Sequence, residues 1–370
     1  MHIIQDAKLD FADVLIVPQR TTLESRKEVI LERNFRFYHS PRIWTGIPII
    51  CANMVPLTSK SMAIRLSAHK MITALHKYYD VDDLYDIINS TGIDYSWATI
   101  GKSEDDINKL VTLSKKLDKN PNIVIDVPNG YMESFVSFCR KVRDNFPDSI
   151  ICAGNVTTPE ICEELIIHGG VDIIKGQIGP GSQCETRIVT GVGYGTFSCV
   201  QECSHAAHGL RTNTGRLGLF MSDGGCKTSG DICKAMCGGA DFVMIGGMFA
   251  GTEECEGEWK YEYRCYTEGE DDRLNKEWWQ AFDPGYSTQK RKLSLTFYGM
   301  SSHYAQEKHG NGKKTYRASE GKISSIEYKG PVDNTIQEIL GGLRSCGAYI
   351  GAKHLKDFNK CAKFAKVYRK

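Results

Sequence analysis

NIVIDVPNGYMESFVSFCRKVRDNFPDSIICAGN, residues 122–155, sets two periodicities side by side. NIVIDVP (122–128) and SIICAGN (149–155) are short apolar runs rich in isoleucine and valine. They are too short for a typical helix and lack the alternation of a half-solvated strand. Between them, YMESFVSFCRKVRDNF (131–146) is amphipathic at helical spacing. Strand, helix, strand in that order is the unit of a parallel sheet covered on both faces.

The unit repeats along the chain. Six further runs share its character: IPIICANM (47–54), MITALHK (71–77), YSWATIG (95–101), DIIKGQI (172–178), LGLFMSDGG (217–225) and DFVMIGG (241–247). Amphipathic segments separate them, among them SKSMAIRLSAHK (59–70) and SEDDINKLVTLSKKL (103–117). Cap signals mark helix starts at Ser103, ahead of Glu104-Asp105-Asp106, and at Thr158 with Pro159 in the first turn. Eight such units in series predict an α/β fold of the (β/α)8 TIM-barrel type, a single domain over 1–370. The alternative is an open doubly wound sheet. That fold usually opens with G-x-G-x-x-G after its first strand, where this chain has CANMVPLTS (51–59). Residues 1–45, with LDFADVLIVP (9–18), precede the alternation. Residues 259–292 interrupt its end with an aromatic, highly charged stretch, expected to be an inserted segment whose Trp278-Trp279 pair packs on something, such as a neighbouring subunit.

Composition excludes several functions. The net charge of +1 gives no global field for nucleic acid or an anionic membrane. The basic C-terminal residues (Lys353, Lys356, Lys360, Lys363, Lys366, Arg369, Lys370) read as a solvated helix face rather than a nucleic-acid patch. The opening MHIIQDAKLDFADV lacks the apolar core of a secretory signal, and no run approaches the roughly 18 to 20 apolar residues of a membrane span. None of the 14 cysteines forms a C-x-x-C pair, and Cys199/Cys203 and Cys233/Cys237 have helix spacing. The expectation is a cytoplasmic protein with reduced thiols, most of them small core hydrophobes.

The polar residues fall where a barrel keeps its active face. Asn53, His76, Lys77, Asp126, Asn129, Asn155, Asp223 and Gly246-Gly247 all end predicted strands. The glycines of SDGG (222–225) and Gly246-Gly247 let backbone N–H groups approach an anion, as at a phosphate site after strands seven and eight. Asp223 repels phosphate but suits the hydroxyls of a ribose; together they point to a nucleotide, against glycines that serve tight turns only. Cys184 follows Gly179, Pro180, Gly181 and Ser182, with Thr186 two residues on and Arg187 able to favour a thiolate. On spacing alone, a nucleophile and a buried structural thiol both stay open. YRASEGK (316–322) reads either as a solvated turn or as a loop that brings Glu320 over a substrate.

The set LDFADVLIVP, IGPGSQCETRIVTGVGYG (178–195), SDGG, DFVMIGGMF (241–249), YGMSS (298–302), RASEGK (317–322) and GGLRS (341–345) resembles the family of guanosine monophosphate (GMP) reductases and inosine monophosphate (IMP) dehydrogenases. The reductase branch is favoured by the pairing of YGMSS with RASEGK, and by a barrel series without the regulatory modules that the dehydrogenase usually inserts after an early strand. The resemblance implies that Cys184 attacks C2 of the guanine, that Thr186 and Glu320 relay a proton to the departing ammonia, and that NADPH reduces the covalent purine to IMP. It also implies a substrate set of Asp223, Gly224, Gly225, Gly246, Gly247, Gly299, Met300, Ser301, Arg317, Ser319 and Gly321. Its implied cofactor set is Ser25, Arg26, Lys77, Asp126, Ile178, Gly179, Met300, Tyr316, Arg317 and Ser345, with Ser25 and Arg26 reaching the cofactor of a neighbouring subunit in a homotetramer. Gly179, Gly181, Cys184 and Arg187 would form the loop that holds a monovalent cation such as potassium. The chain departs from the family pattern at Val55-Pro56, which replace Asp-Thr and remove an active-face carboxylate, at Lys175-Gly176-Gln177, more polar than usual, and at Pro128, Gly195 and residues 259–292. Two alternatives follow: an IMP dehydrogenase, which needs a water-activating flap that the sequence does not display, or a catalytically weak purine-nucleotide sensor.

Overall fold

Isoleucine and valine favour the extended backbone, and runs of them are stable only where both faces are covered. In the computed structural model, which describes residues 3–213, 215–267, 286–309 and 318–367, all eight runs contain strands. They are β1 (Ile49–Cys51), β2 (Ile72–Leu75), β3 (Ser96–Ile100), β4 (Ile123–Asp126), β5 (Ile151–Val156), β6 (Ile173–Gly176), β7 (Leu219–Asp223) and β8 (Phe242–Ile245). Each pairs in parallel with the next, and β8 returns to β1 through Val243↔Ile49, Met244↔Ile50 and Ile245↔Cys51. The sheet is therefore a closed eight-stranded barrel, not an open doubly wound one.

The covering helices are α1 (Lys60–Ala68), α2 (Val81–Thr91), α3 (Glu104–Leu117), α4 (Glu133–Asn145) and α5 (Pro159–Ile167), then the short α6 (Thr186–Thr190), α7 (Thr196–Gly209), α8 (Ser229–Gly238), α9 (His303–His309) and α10 (Val332–Ile350). The expected cap at Ser103 is present: its hydroxyl accepts from the Asp106 amide, and Asp106 accepts from the Ser103 amide in return. At Thr158, Pro159 opens α5 but the threonine side chain makes no cap bond.

Period-two alternation divides each strand between two cores. Ile50, Ile72, Trp97, Val124, Cys152, Ile173, Met221 and Phe242 fill the barrel interior. Ile49, Ile123, Ile125, Ile151, Ile174, Phe220 and Val243 pack outward against the helices. Each such side chain contributes about 1.5–3 kcal/mol on burial, which explains why these runs carry so few polar residues.

Residues ahead of β1 close the floor of the barrel. An antiparallel hairpin of Arg33–Arg36 and Ile43–Gly46 sets the Phe35 ring 4.5 Å from Phe242 and the Trp44 ring 5.4 Å from it. Arg33 of this hairpin pairs with Asp241 at 3.2 Å, and His208 binds the other carboxylate oxygen at 2.6 Å. Burial pushes the Asp241 carboxyl up, but His208 and Arg33 outweigh it and hold the group at about 2, below its ordinary 3.8. A carboxyl depressed by folding stabilises fully above its unfolded value and loses that contribution as pH falls through its folded value. Asp241→Asn is therefore expected to remove about 2 kcal/mol at neutral pH and much less near pH 2, measured as urea unfolding free energy against pH.

The described residues of the C-terminal basic run do not form one helix face: Lys356 and Lys360 lie in the short helical turns Leu355–Asp357 and Phe358–Cys361. Lys363 and Lys366 lie on a strand, Lys363–Lys366, paired antiparallel with Val14–Val17 of the LDFADVLIVP motif. This is a short surface ribbon, where lysines discourage further strand pairing. Arg369, Lys370 and the Trp278-Trp279 pair lie outside the described residues. Trp259–Thr267 (β9), Tyr286–Tyr298 (β10) and Ile323–Glu327 (β11) form a three-stranded antiparallel sheet after β8. The expected inserted segment, 259–292, spans all of β9 and the start of β10, and its residues 268–285 lie outside the described residues.

Candidate active site

Two adjoining cavities open at the C-terminal ends of the barrel strands. The smaller, about 210 Å³, is bounded by the loops after β6, β7 and β8 and by the YGMSS segment; its lining includes Ser182, Asp223, Gly224, Gly225, Gly246, Gly247 and Ser301. The larger, about 860 Å³, lies toward β2 to β5 and is lined by residues such as Lys77, Tyr78, Asn155, Gln306 and His309. Asn53, Asp126, Cys184, Asp223, Met300, Ser301 and Glu320 border both. A group held in one cavity thus meets a group held in the other at Cys184.

At that junction three side chains form a directed chain. The Cys184 thiol donates to Thr186 Oγ1 at 3.2 Å, and the Thr186 hydroxyl donates to Glu320 Oε2 at 2.8 Å. Cys184 is partly exposed, unlike most of the other cysteines. Backbone bonds fix this geometry: the Glu185 amide donates to the Glu320 carbonyl at 2.8 Å, and the Lys322 amide to the Gln183 carbonyl at 3.1 Å. Cys184 and Gly321 form an antiparallel bridge. Such close approach requires glycine, because a Cβ on Gly321 would stand 2.9 Å from the Ser302 amide nitrogen and one on Gly299 2.7 Å from the Gln183 carbonyl. Glu320 is therefore seated against the cysteine loop rather than on a solvated turn.

The glycines of SDGG adopt the backbone that their sequence suggests. Gly224 and Gly225 have φ of +86° and +79°, strained for any other residue. Ser182, Lys227 and these glycines gather on one side of the smaller cavity, an arrangement that suits an anion. His76, by contrast, lines neither cavity; its ring stacks on Tyr79 at 3.8 Å, and burial pushes its pKa down to about 4.

At the base of the larger cavity, which it lines, stands a residue that the sequence reading noted only as part of a polar departure from the family motif. Lys175, on β6, is 3 % exposed, and its ammonium contacts Asp126 Oδ1 at 2.9 Å, Asn155 Oδ1 at 2.8 Å and Asp223 Oδ2. Asn53 donates to Asp126 Oδ2 at 2.9 Å, and Asn155 to Asp223 Oδ2 at 2.8 Å. Burial pushes Asp126 up, but Lys175 and Asn53 hold it below the usual carboxylate range. Burial likewise lowers Lys175, and the two carboxylates raise it further than burial lowers it. A lysine inside the apolar run DIIKGQI was the available signal, since buried lysines occur almost only when paired.

The expected site residues are brought together unevenly. Cys184, Thr186 and Glu320 meet. Asp223, Gly224, Gly225, Gly246, Gly247, Gly299, Met300 and Ser301 line the smaller cavity, and Lys77, Asp126, Ile178, Gly179 and Met300 the larger. Ser319 and Gly321 support the wall instead: Ser319 accepts from the His303 amide at 3.3 Å. Ser25, Arg26 and Ser345 line neither cavity; the turn Arg26–Glu28 packs on α10, which carries Ser345. Tyr316 and Arg317 lie outside the described residues. In the cation loop, the Gly181 carbonyl accepts the Cys184 amide at 3.0 Å, and Arg187 reaches Asp10, Tyr194 and Thr196. Among the described residues no three His, Cys, Asp or Glu side chains gather to hold a metal ion.

Comparison with known proteins gives the family. The family model described as the IMP dehydrogenase / GMP reductase domain matches residues 8–270 and 283–370. A protein named GMP reductase from Shigella boydii serotype 4 is 45% identical over 373 aligned positions, covering 99% of this chain and 97% of its own. A GMP reductase from Escherichia coli strain K12 / DH10B gives the same identity and coverage. With a family model matched along nearly the whole chain, and such relatives aligned over their full length, this protein belongs to the IMP dehydrogenase / GMP reductase family.

Proposed function

We propose that the protein is a GMP reductase, converting GMP to IMP and ammonia with a nicotinamide cofactor. The observation that carries this reading is the chain Cys184–Thr186–Glu320 at the junction of two cavities. The smaller cavity would hold GMP, its phosphate at Ser182, Gly224, Gly225, Gly246 and Gly247 and its ribose on Asp223, whose Oδ1 takes no hydrogen bond from a described residue. The base would lie against Met300 and Ser301. The larger cavity suits a dinucleotide in size and in its mixed polar lining; Lys77, Asp126, Ile178 and Gly179 would position the nicotinamide half. When bound, that cofactor supplies a hydride. We assign it as NADPH, with Arg26 of a neighbouring subunit gripping the extra phosphate bidentately in a homotetramer.

The protein's own residues account for the protons. Sulfur bonds to C2, and the thiol proton passes through the Thr186 hydroxyl to Glu320. The same route returns it to the exocyclic amine, which leaves as ammonia as its bond to C2 breaks, so one proton suffices for a neutral leaving group. Splitting the exchange at C2 into two steps through a covalent intermediate lowers each barrier. Once C2 is reduced, sulfur leaves as the thiolate and takes up one proton from solvent by way of Glu320 and Thr186. The carbonyls of Gly179, Gly181 and Cys184, in the loop that Arg187 braces, are all-oxygen donors suited to a hard monovalent ion, which we assign as potassium.

The test is to follow NADPH absorbance with GMP and potassium while assaying ammonia in the same tube. Matched loss of NADPH and release of ammonia is the expected result. NADH formation from IMP and NAD would instead make the protein the dehydrogenase, and GMP binding without turnover in either direction would make it a sensor.

A further inference from the structure

We infer that Lys175 is a positioning residue that couples the two cavities by holding, with one ammonium, a carboxylate that serves each. This rests on the GMP reductase reading, in which Asp223 meets the ribose and Asp126 the cofactor. Three observations carry it. Lys175 is the only described cation within 4 Å of either carboxylate. Asp126 and Asp223 each give one oxygen to it, so two negative groups share a single buried positive one. Asn53 and Asn155 then fix the rotation of the two carboxylates, Asn53 on Asp126 and Asn155 on Asp223.

The arrangement follows from strand periodicity. On β6 the side chain of Ile173 fills the barrel interior, and Lys175, two residues on, points the same way at the next level up. Asp126 on β4 stands two residues above Val124, and Asp223 on β7 two above Met221, both of which are interior residues. The top interior layer of the barrel is therefore a charged triad resting on an apolar column. The ammonium cannot follow one carboxylate without loosening the other. When ribose hydroxyls draw on Asp223, the share of the ammonium left to Asp126 rises, and its orientation toward the larger cavity tightens. GMP and cofactor are then linked through a group that lines the larger cavity but not the smaller.

Without the ammonium, two like-charged carboxylates would face each other uncompensated, and one of the pair would take up a proton more readily. The other ionisable groups around the pair include Lys77, Tyr78, Cys152, Asp172, Cys184, Cys226, Lys227, His309 and Glu320. Lys77 lines the larger cavity and Lys227 the smaller, neither within 4 Å of the two carboxylates, and burial raises the Cys152 and Cys226 thiols, so none of these replaces Lys175.

The experiment measures GMP affinity by calorimetry between pH 5.5 and 8.5, with and without NADP, on wild type, Lys175→Met and Lys175→Met/Asp126→Asn. Wild type is expected to show a flat profile and tighter GMP binding when NADP is present. Lys175→Met should bind GMP about 10- to 100-fold more weakly, acquire a pH-dependent affinity, and lose the effect of NADP. The double variant removes one charge of each sign, which favours a folded protein, and should restore the flat profile without restoring the coupling. A Lys175→Met protein with wild-type affinity, a flat profile and intact coupling would overturn the inference. So would a double variant that keeps the pH dependence, and this arm stands even where the single variant fails to fold. If wild type itself does not bind GMP, the functional reading falls instead.

Discussion

Cys184→Ala is expected to lower turnover by about 10⁴-fold or more while GMP affinity changes by less than about threefold. The alanine keeps the loop backbone, whose Cys184 amide and Gly321 bridge do not involve the sulfur. The phosphate and ribose contacts are also untouched. On the proposed mechanism the variant lacks the atom that would bond to C2, and with it both half-reactions, since reduction would need the covalent purine. Single-turnover measurement of ammonia and of NADPH oxidation, beside calorimetric GMP binding, gives the separation. Unchanged turnover would sink the nucleophile assignment.

Glu320→Gln carries the second large effect, a fall of about 10²- to 10⁴-fold in ammonia release. The amide can still accept from the Thr186 hydroxyl, so the 2.8 Å contact and the position of the thiol are kept, but it cannot take up a proton. The loss should therefore appear in the deamination step, with GMP binding retained. Normal ammonia release by this variant would show that the proton travels by another route.

These side chains were readable to different degrees. The barrel was legible because its strands are buried on both faces, so their runs are short, apolar and regularly spaced. Cys184, Thr186 and Glu320 were legible as a set through the family resemblance, but their contact was not. It joins residues 134 apart, and no local pattern carries information over that distance. The floor hairpin was missed because its key residues, Phe35 and Trp44, are isolated aromatics in a polar stretch. Their burial depends on Phe242, which arrives two hundred residues later. Lys363 and Lys366 were misplaced on a helix because alternation along Lys363–Lys366 is too brief to distinguish a strand. Lys175 was visible but looked like one polar residue in a motif, since its meaning comes from carboxylates on β4 and β7.

The bridge between the cysteine loop and residues 320–322 has a consequence for how the protein is made. During synthesis the ribosome releases the nucleophile long before the carboxylate, and N-terminal parts of a chain fold first. A chain that ends before residue 320 therefore carries the thiol and Thr186 but not the carboxylate that Thr186 bonds, so on the proposed reading the relay is complete only once the last part of the fold is in place.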